Sequence, residues 1–345
     1  MQKNYSVLDL FSGCGGLSSG FKDVGFEVKY AIDNWDIALK TLKLNHPNTE
    51  TINADISEIK AKDVIENSTI DVIIGGPPCQ GFSIAGKRII DDERNKLYKQ
   101  YLNFVNDLKP KAFLMENVPN IASIGKGAIL KSILRDFSSV GYKLNWDILK
   151  ASDFGVPQDR RRFFLIGFLE NKYFDFSFLS KYKQNLISSE EAISDLPEDD
   201  ITPEAGYPVE PKSEYQKAMR IGSKGIYNHV VTKHTDKTKM IISLVPDGGN
   251  YKDLPEQYKN TRKVNIAWTR LNSKKPSFTI DTGHRHHFHY KFNRVPTVRE
   301  AARIQSFPDR YIFLGNKSDQ EKQVGNAVPP ILASVLAKEI LRILG

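Results

Sequence analysis

Short apolar runs that stop abruptly in chemically loaded turns recur through the first 170 residues and leave few folds open. Val7-Leu8-Asp9-Leu10-Phe11 runs into Ser12-Gly13-Cys14-Gly15-Gly16, and Phe26 to Ile32 ends at Asp33. Asp71-Val72-Ile73-Ile74 runs into Gly75-Gly76-Pro77-Pro78-Cys79, and Ala112-Phe113-Leu114-Met115 into Glu116-Asn117-Val118-Pro119. Between these runs the apolar residues recur at helical spacing, as in Trp35, Ala38, Leu39 and Leu42, a helix closed by Asn45-His46-Pro47. Strand and helix in alternation predict an α/β fold, a doubly wound and mainly parallel sheet with helices on both faces. In such sheets ligands bind beyond the carboxyl ends of the strands. That rule predicts one site gathering Gly13, Asp33, Asp55, Cys79 and Glu116.

The chain has 345 residues, enough for two domains, and its 40% apolar and 26% charged content is that of a globular protein. No apolar run approaches the roughly 18 residues of a membrane span, and the N-terminus enters a strand-like run without an apolar signal region. Two cysteines are too few for a disulfide framework and suit a reducing compartment, so a cytoplasmic protein is expected. The net charge of +8 permits a polyanionic partner. Its distribution says more: residues 171–210 hold 3 Lys/Arg against 9 Asp/Glu, whereas 211–293 hold 16 against 6 and six of the seven histidines. Periodicity also weakens there, and Pro, Gly and polar turns multiply. The expected division is 1–170 plus 294–345 as one domain and 171–293 as a smaller, irregular one, with a closing apolar helix from about Ile331 to Leu344.

Four stretches carry candidate chemistry. The glycine turn after the first strand lets a ligand approach the backbone, but Ser18 stands where a dinucleotide fingerprint requires glycine. With Asp33 at the next strand end, a nucleoside cofactor lacking a pyrophosphate fits better than NAD; a plain turn and a helix cap are the bland alternative. Pro77-Pro78 stiffen the backbone and deny it donors, presenting Cys79 where a nucleophile belongs; a buried structural thiol is the alternative, and it is the reading for Cys14. Glu116 reaches the same sheet edge, where desolvation makes a proton donor near neutrality, against a turn acid as the plain reading. Finally, Arg160 and Arg162 of Gln158-Asp159-Arg160-Arg161-Arg162, if in a strand, share one face and are placed to hold an anion or a base carbonyl together. An ordinary charge run is the alternative.

Taken in order, these blocks resemble the DNA (cytosine-5)-methyltransferases of the bacterial modification type. Arg299-Glu300-Ala301-Ala302-Arg303-Ile304-Gln305-Ser306-Phe307-Pro308 and Gln323-Val324-Gly325-Asn326-Ala327-Val328-Pro329 complete the series. The resemblance covers most of the chain outside 171–293. It implies the S-adenosylmethionine-dependent methyltransferase fold, S-adenosylmethionine as methyl donor, and 171–293 as a target-recognition domain on double-stranded DNA. Carried over by position, it implies Cys79 as nucleophile and Glu116 as acid at the base. Arg160 and Arg162 would hold the flipped cytosine and the catalytic loop, with Ser83 as a loop contact. Phe11, Gly13, Gly16, Asp33, Asn34, Asp55, Ile56, Pro77 and Asn326 would line the cofactor site. Asn34 is a departure, since several members carry an aromatic there and Trp35 comes one later.

The chemistry explains the residue types. Carbon 5 of cytosine is too weak a nucleophile until a thiolate adds to carbon 6 and N3 is protonated, which are the parts expected of Cys79 and Glu116. A thiolate must approach the ring face, so the base has to leave the stack, and cationic contacts to phosphate would offset that cost. Arg262, Arg270 and Arg285 are the candidate DNA-reading residues, Arg285 first among them. The run His284-Arg285-His286-His287-Phe288-His289 invites a zinc reading, but no cysteine or interleaved carboxylate follows Asp281, so no metal is expected. A monomer is the expected organisation, with a cognate restriction endonuclease acting on the same sequence as its expected partner. The alternatives are a methyltransferase acting on RNA and a catalytically inactive DNA-binding regulator.

Overall fold

The computed structural model describes residues 4–65, 69–78, 96–259, 268–283 and 287–345. Cys79, Ser83, Arg262 and Arg285 lie outside the described residues. Two compact units emerge: Met1–Lys150 with Arg161–Lys183 and Pro330–Gly345, and Ala151–Arg160 with Gln184–Pro329. These packing boundaries fall at other residues than the charge boundaries at 171 and 293, and they group 298–326 with the second unit. Among the described residues no helix is long and apolar enough to cross a membrane.

The first unit is built on β1 (Ser6–Leu10), α1 (Gly16–Asp23), β2 (Glu27–Asp33), α2 (Asp36–Asn45), β3 (Glu50–Asn53), α3 (Ala61–Val64), β4 (Val72–Gly75), α4 (Lys96–Leu108), β5 (Ala112–Asn117), α5 (Ala128–Ser139) and β6 (Lys143–Lys150). Past β7 (Gln158–Asp159), which belongs to the second unit, β8 (Arg161–Phe168) returns to the first. The seven-stranded sheet has the order β3-β2-β1-β4-β5-β8-β6. Strands β1 to β5 pair in parallel, whereas β8 runs antiparallel to both β5 and β6. The central strands are buried on both faces, which is why they read as continuous apolar runs rather than as alternating ones. Phe113 on β5 stacks on Phe137 of α5 at 4.5 Å and meets Tyr142 edge-on at 5.1 Å. The Tyr101 hydroxyl of α4 donates to the carbonyls of Ile73 and Leu114, tying the helix across β4 and β5.

Register decides what the sheet presents. Leu10 pairs with Ile32 and with Gly75, and Gly75 pairs with Met115. Leu10, Ile32, Gly75 and Met115 therefore lie in one row across the sheet, and Phe11, Asp33, Gly76 and Glu116 each follow it by one residue.

The second unit is less regular. It holds β7, α6 (Ser189–Ile193), α7 (Glu214–Arg220), α8 (Asp236–Ser243), α9 (Glu256–Lys259), β9 (Thr269–Arg270), β10 (Ser277–Phe278), β11 (His287–Phe288), α10 (Val298–Ile304) and α11 (Lys317–Asn326). The last helix, α12 (Pro330–Leu344), belongs to the first unit. Strands β7 and β10 pair over two residues each, as do β9 and β11, so side chains hold this unit rather than ladders. Arg303 is the hub: its guanidinium donates to both oxygens of Asp309 at 2.8 and 2.7 Å and to Asp195 at 2.6 Å. Arg220 takes the second oxygen of Asp195, and Tyr207 donates to Asp309. Arg303, Asp195 and Asp309 are fully buried, so losing one partner would strand an uncompensated charge. The Arg299-to-Pro308 block that carries part of the family resemblance is thus, in this chain, a folding element.

Candidate active site at the carboxyl edge of the sheet

The glycine turn is shaped by left-handed backbone at Gly13 (φ +51) and Gly15 (φ +88), and a Cβ at Gly13 would meet nothing within 4 Å. The turn is braced from β2: Gly13 N–H donates to Asp33 Oδ2 at 2.8 Å, and Trp35 N–H donates to Asp33 Oδ1 at 2.9 Å. Helix α1 starts from Gly15 with no side-chain cap and no acid in its first turn. Open space before a glycine turn, an uncapped helix start and a strand-end carboxylate suit a ligand that brings both an anionic group and hydroxyls. Asn34 is exposed and Trp35 half-buried at this edge. Asp55 is exposed and accepts from the N–H and hydroxyl of Ser57 at 2.9 and 2.7 Å, bonds that hold its carboxyl below the usual range. Ile56 is buried in the core with Leu10 and Ile32.

Two groups in this turn differ in kind. Burial pushes the Cys14 thiol far up, which leaves a neutral, inert side chain. Asp9, with no exposure at all, accepts from the Ser18 hydroxyl at 2.5 Å, and burial raises its carboxyl to about 7. The sequence contained the signal for it, an acid inside an otherwise apolar strand.

Beyond β4 the chain reaches Gly76 and the buried Pro77. A Cβ at Gly76 would lie 2.9 Å from Glu116 Oε2, so glycine is what lets the carboxylate lie against this backbone. Arg162 Nε stands 3.0 Å from Glu116 Oε1, both side chains being largely buried. The Arg162 guanidinium is thus a partner of this carboxyl group, a contact that the sequence reading of Glu116 did not include. Asn117 Nδ2 donates to the Pro77 carbonyl at 2.9 Å. Neither the Glu116–Arg162 contact nor this bond follows from sequence spacing; both require β8 and β4 to flank β5.

The expectation of Arg160 and Arg162 on one strand face is corrected. Arg160 lies between β7 and β8, outside both, because its N–H turns back to the Gln158 carbonyl at 2.9 Å and breaks the extended run. It is 1% exposed and belongs to the second unit, with Nη2 3.5 Å from the carbonyl of Asn326 at the end of α11.

Within the second unit Arg270 is not presented to a ligand. It is 5% exposed, and its guanidinium donates to the carbonyls of Val245, Ile242, His289 and Phe292 and to Asn293 Oδ1. A guanidinium with its donors so engaged cannot also read a base edge, so Arg270 is not carried forward as a DNA-reading residue. His289 is buried too: its Nδ1 accepts from the N–H groups of Lys291 and Phe292, and its ring stacks on Tyr290 and Phe292. Glu300, which lies 3.6 Å from His289 Nε2, is held by both Nη atoms of Arg294 at 2.8 Å each. His229 bonds Thr297 and the Pro197 carbonyl. Among the described residues no three His, Cys, Asp or Glu side chains gather as a metal site.

A mostly parallel seven-stranded sheet with an antiparallel β8, and the row of loaded strand ends it carries, define the S-adenosylmethionine-dependent methyltransferase fold. The model of the C-5 cytosine-specific DNA methylase family matches residues 5–342, and this chain belongs to that family. The chain is 38% identical over 369 residues to Type II methyltransferase M.DdeI of Desulfomicrobium norvegicum, a match covering 97% of this chain and 88% of that protein. It is 35% identical over 344 residues to Type II methyltransferase M1.HphI of Haemophilus parahaemolyticus, covering 98% and 87%. Among solved structures, a protein described as a DNA modification methyltransferase encoded within an E. coli prophage superposes with a TM-score of 0.82 at 29% identity, covering 99% of each chain.

Proposed function

We propose that this DNA (cytosine-5)-methyltransferase modifies a cytosine within a specific duplex sequence through a covalent bond between Cys79 and the flipped-out base, as the modification enzyme of a restriction–modification pair. The observation that carries the reading is the meeting at one sheet edge of Glu116, Arg162 and the Pro77-Pro78 turn, whose next residue is Cys79.

Bound S-adenosylmethionine supplies an electrophilic methyl group on a sulfonium. The braced glycine turn, the start of α1 and Asp33 would hold it, joined by Phe11, Gly16, Asn34, Asp55, Ile56, Pro77 and Asn326. The Cys79 thiolate forms a bond to carbon 6, and the electron pair of the 5,6 double bond passes toward N3, where Glu116 delivers a proton. Arg162, paired to that carboxylate, keeps it aimed and stands beside the base; Arg160 and Ser83 are proposed to support the base and its loop. Carbon 5 takes the methyl group, a base or water removes its proton, and the carbon 6–sulfur bond breaks to return the thiolate. Residues 171–293 supply register on the duplex through phosphate contacts, with Arg262 and Arg285 as the remaining candidates for base readout.

The test is Cys79→Ala together with a duplex carrying 5-fluorocytosine at a mapped target. The variant loses methyl transfer and keeps S-adenosylmethionine affinity, and the wild-type chain forms a covalent adduct on the fluorinated duplex because fluorine cannot leave as the proton does. An active alanine variant, or no adduct at an established target, overturns the mechanism.

A further inference from the structure

Strand β4 ends at Gly75, opposite Met115, whereas β5 runs on to Asn117. Past Gly75 the chain enters Pro77-Pro78, and prolines have no N–H to extend a ladder. The Pro77 carbonyl is held all the same, by Asn117 Nδ2 at 2.9 Å in a buried contact. Asn117 Oδ1 accepts from the N–H of Val118 at 2.9 Å. That second bond settles which end of the amide faces Pro77, because only Nδ2 can donate to a carbonyl. With 6% exposure, the side chain is shielded from competing water. Two consecutive residues of β5 thus carry the proposed acid and a clamp on the turn that leads, two residues later, into Cys79.

We infer that Asn117 is a positioning residue for methyl transfer: its amide fixes where the Pro77-Pro78 turn leaves the sheet, and so where the thiolate stands relative to Glu116. The inference rests on the reading of Cys79 as nucleophile. Prolines with locked φ pass a displacement along the chain instead of absorbing it, and misplacement of reacting groups by about 1 Å costs about 10²-fold in rate.

The experiment compares Asn117→Ala and Asn117→Asp with wild type and with Cys79→Ala, in the full chain. It measures single-turnover methyl transfer to unmethylated duplex DNA, S-adenosylmethionine affinity, and circular dichroism as the reading of the fold. Both Asn117 variants should bind S-adenosylmethionine within about threefold of wild type and transfer methyl about 10²-fold more slowly. The Asp variant carries a further signature. Its carboxylate opposes the Pro77 carbonyl, but its protonated form donates to it, and burial as deep as that of Asn117 favours the protonated form, so its deficit relative to wild type narrows from about pH 8.5 to about pH 6 while that of the Ala variant does not. Methyl transfer within about threefold of wild type in either variant, with Cys79→Ala inactive, overturns the positioning role and leaves the nucleophile standing. Deficits that are equal in the two variants at every pH also overturn it, as does loss of the folded state in both. An active Cys79→Ala instead removes the reading on which the inference rests.

Discussion

Arg162 Nε and Glu116 Oε1 lie 3.0 Å apart although 46 positions separate them in the chain. The antiparallel pairing of β8 with β5, Glu116 opposite Phe164 and Asn117 opposite Phe163, brings the start of β8 to the carboxyl end of β5. In a wholly parallel sheet the start of a strand lies at the far edge, so reversing β8 is what delivers a guanidinium to this carboxylate.

Glu116→Gln is expected to slow turnover by about 10²–10⁴-fold, the range for losing a general acid, with little change in DNA affinity. Arg162→Gln should also be slow, but the double variant should lose far less than the two single losses combined, because both remove the same contact. Single-turnover rates on a methylatable duplex check this. Strictly multiplicative losses would separate the two roles.

Arg270→Ala is expected to act on stability rather than on sequence choice. It leaves the carbonyls of Ile242, Val245, His289 and Phe292 without their guanidinium donor, and should cost at least about 3 kcal/mol. Lys237→Ala, on the exposed side of α8, should leave the melting temperature unchanged. If Lys237 meets a phosphate, the salt slope of DNA binding falls by about one. An Arg270→Ala variant that is fully stable yet altered in target sequence would return Arg270 to the DNA-reading residues.

Exchanging 171–293 for the matching segment of a relative should redirect which sequence is methylated while cofactor affinity survives. The buried network adds a condition. Asp195 lies inside that segment and Arg303 outside it, so the chimera folds only where the donor places a carboxylate opposite Arg303. Mapping methylated cytosines in DNA from cells expressing the chimera checks the outcome; unchanged target sites would remove 171–293 as the reader.

Burial pushes the His289 imidazole down from 6.5 to about 4, against the pull of Glu300. Between those values the unfolded chain takes up a proton that the folded one refuses, so stability is present above about pH 6.5 and is lost as pH falls toward 4, by up to about 1.4 kcal/mol per pH unit. His289→Asn, which keeps an acceptor for the N–H groups of Lys291 and Phe292, should flatten this dependence in urea unfolding measured between about pH 7 and about pH 5. An unchanged slope would assign the acid sensitivity to other groups.

What the sequence determined by itself was local. Apolar runs closed by Gly13, Asp33, Gly75 and Glu116 announce strand ends, because a strand buried on both faces must be apolar throughout and a turn must be glycine or polar. Alternation with helices then gives the mainly parallel sheet and the edge where the site lies. The antiparallel turn of β8 was not legible, since Phe163 to Phe168 reads alike in either direction. Nor were the partners of the charged groups. Arg160, Arg162, Arg270 and Arg303 are the same residue type in sequence, yet tertiary structure pairs one with Glu116 at the sheet edge and buries the other three. A guanidinium has five donors and a long stem, and only the positions of carbonyls and carboxylates from distant segments decide whether those donors are spent on the fold or left for a substrate.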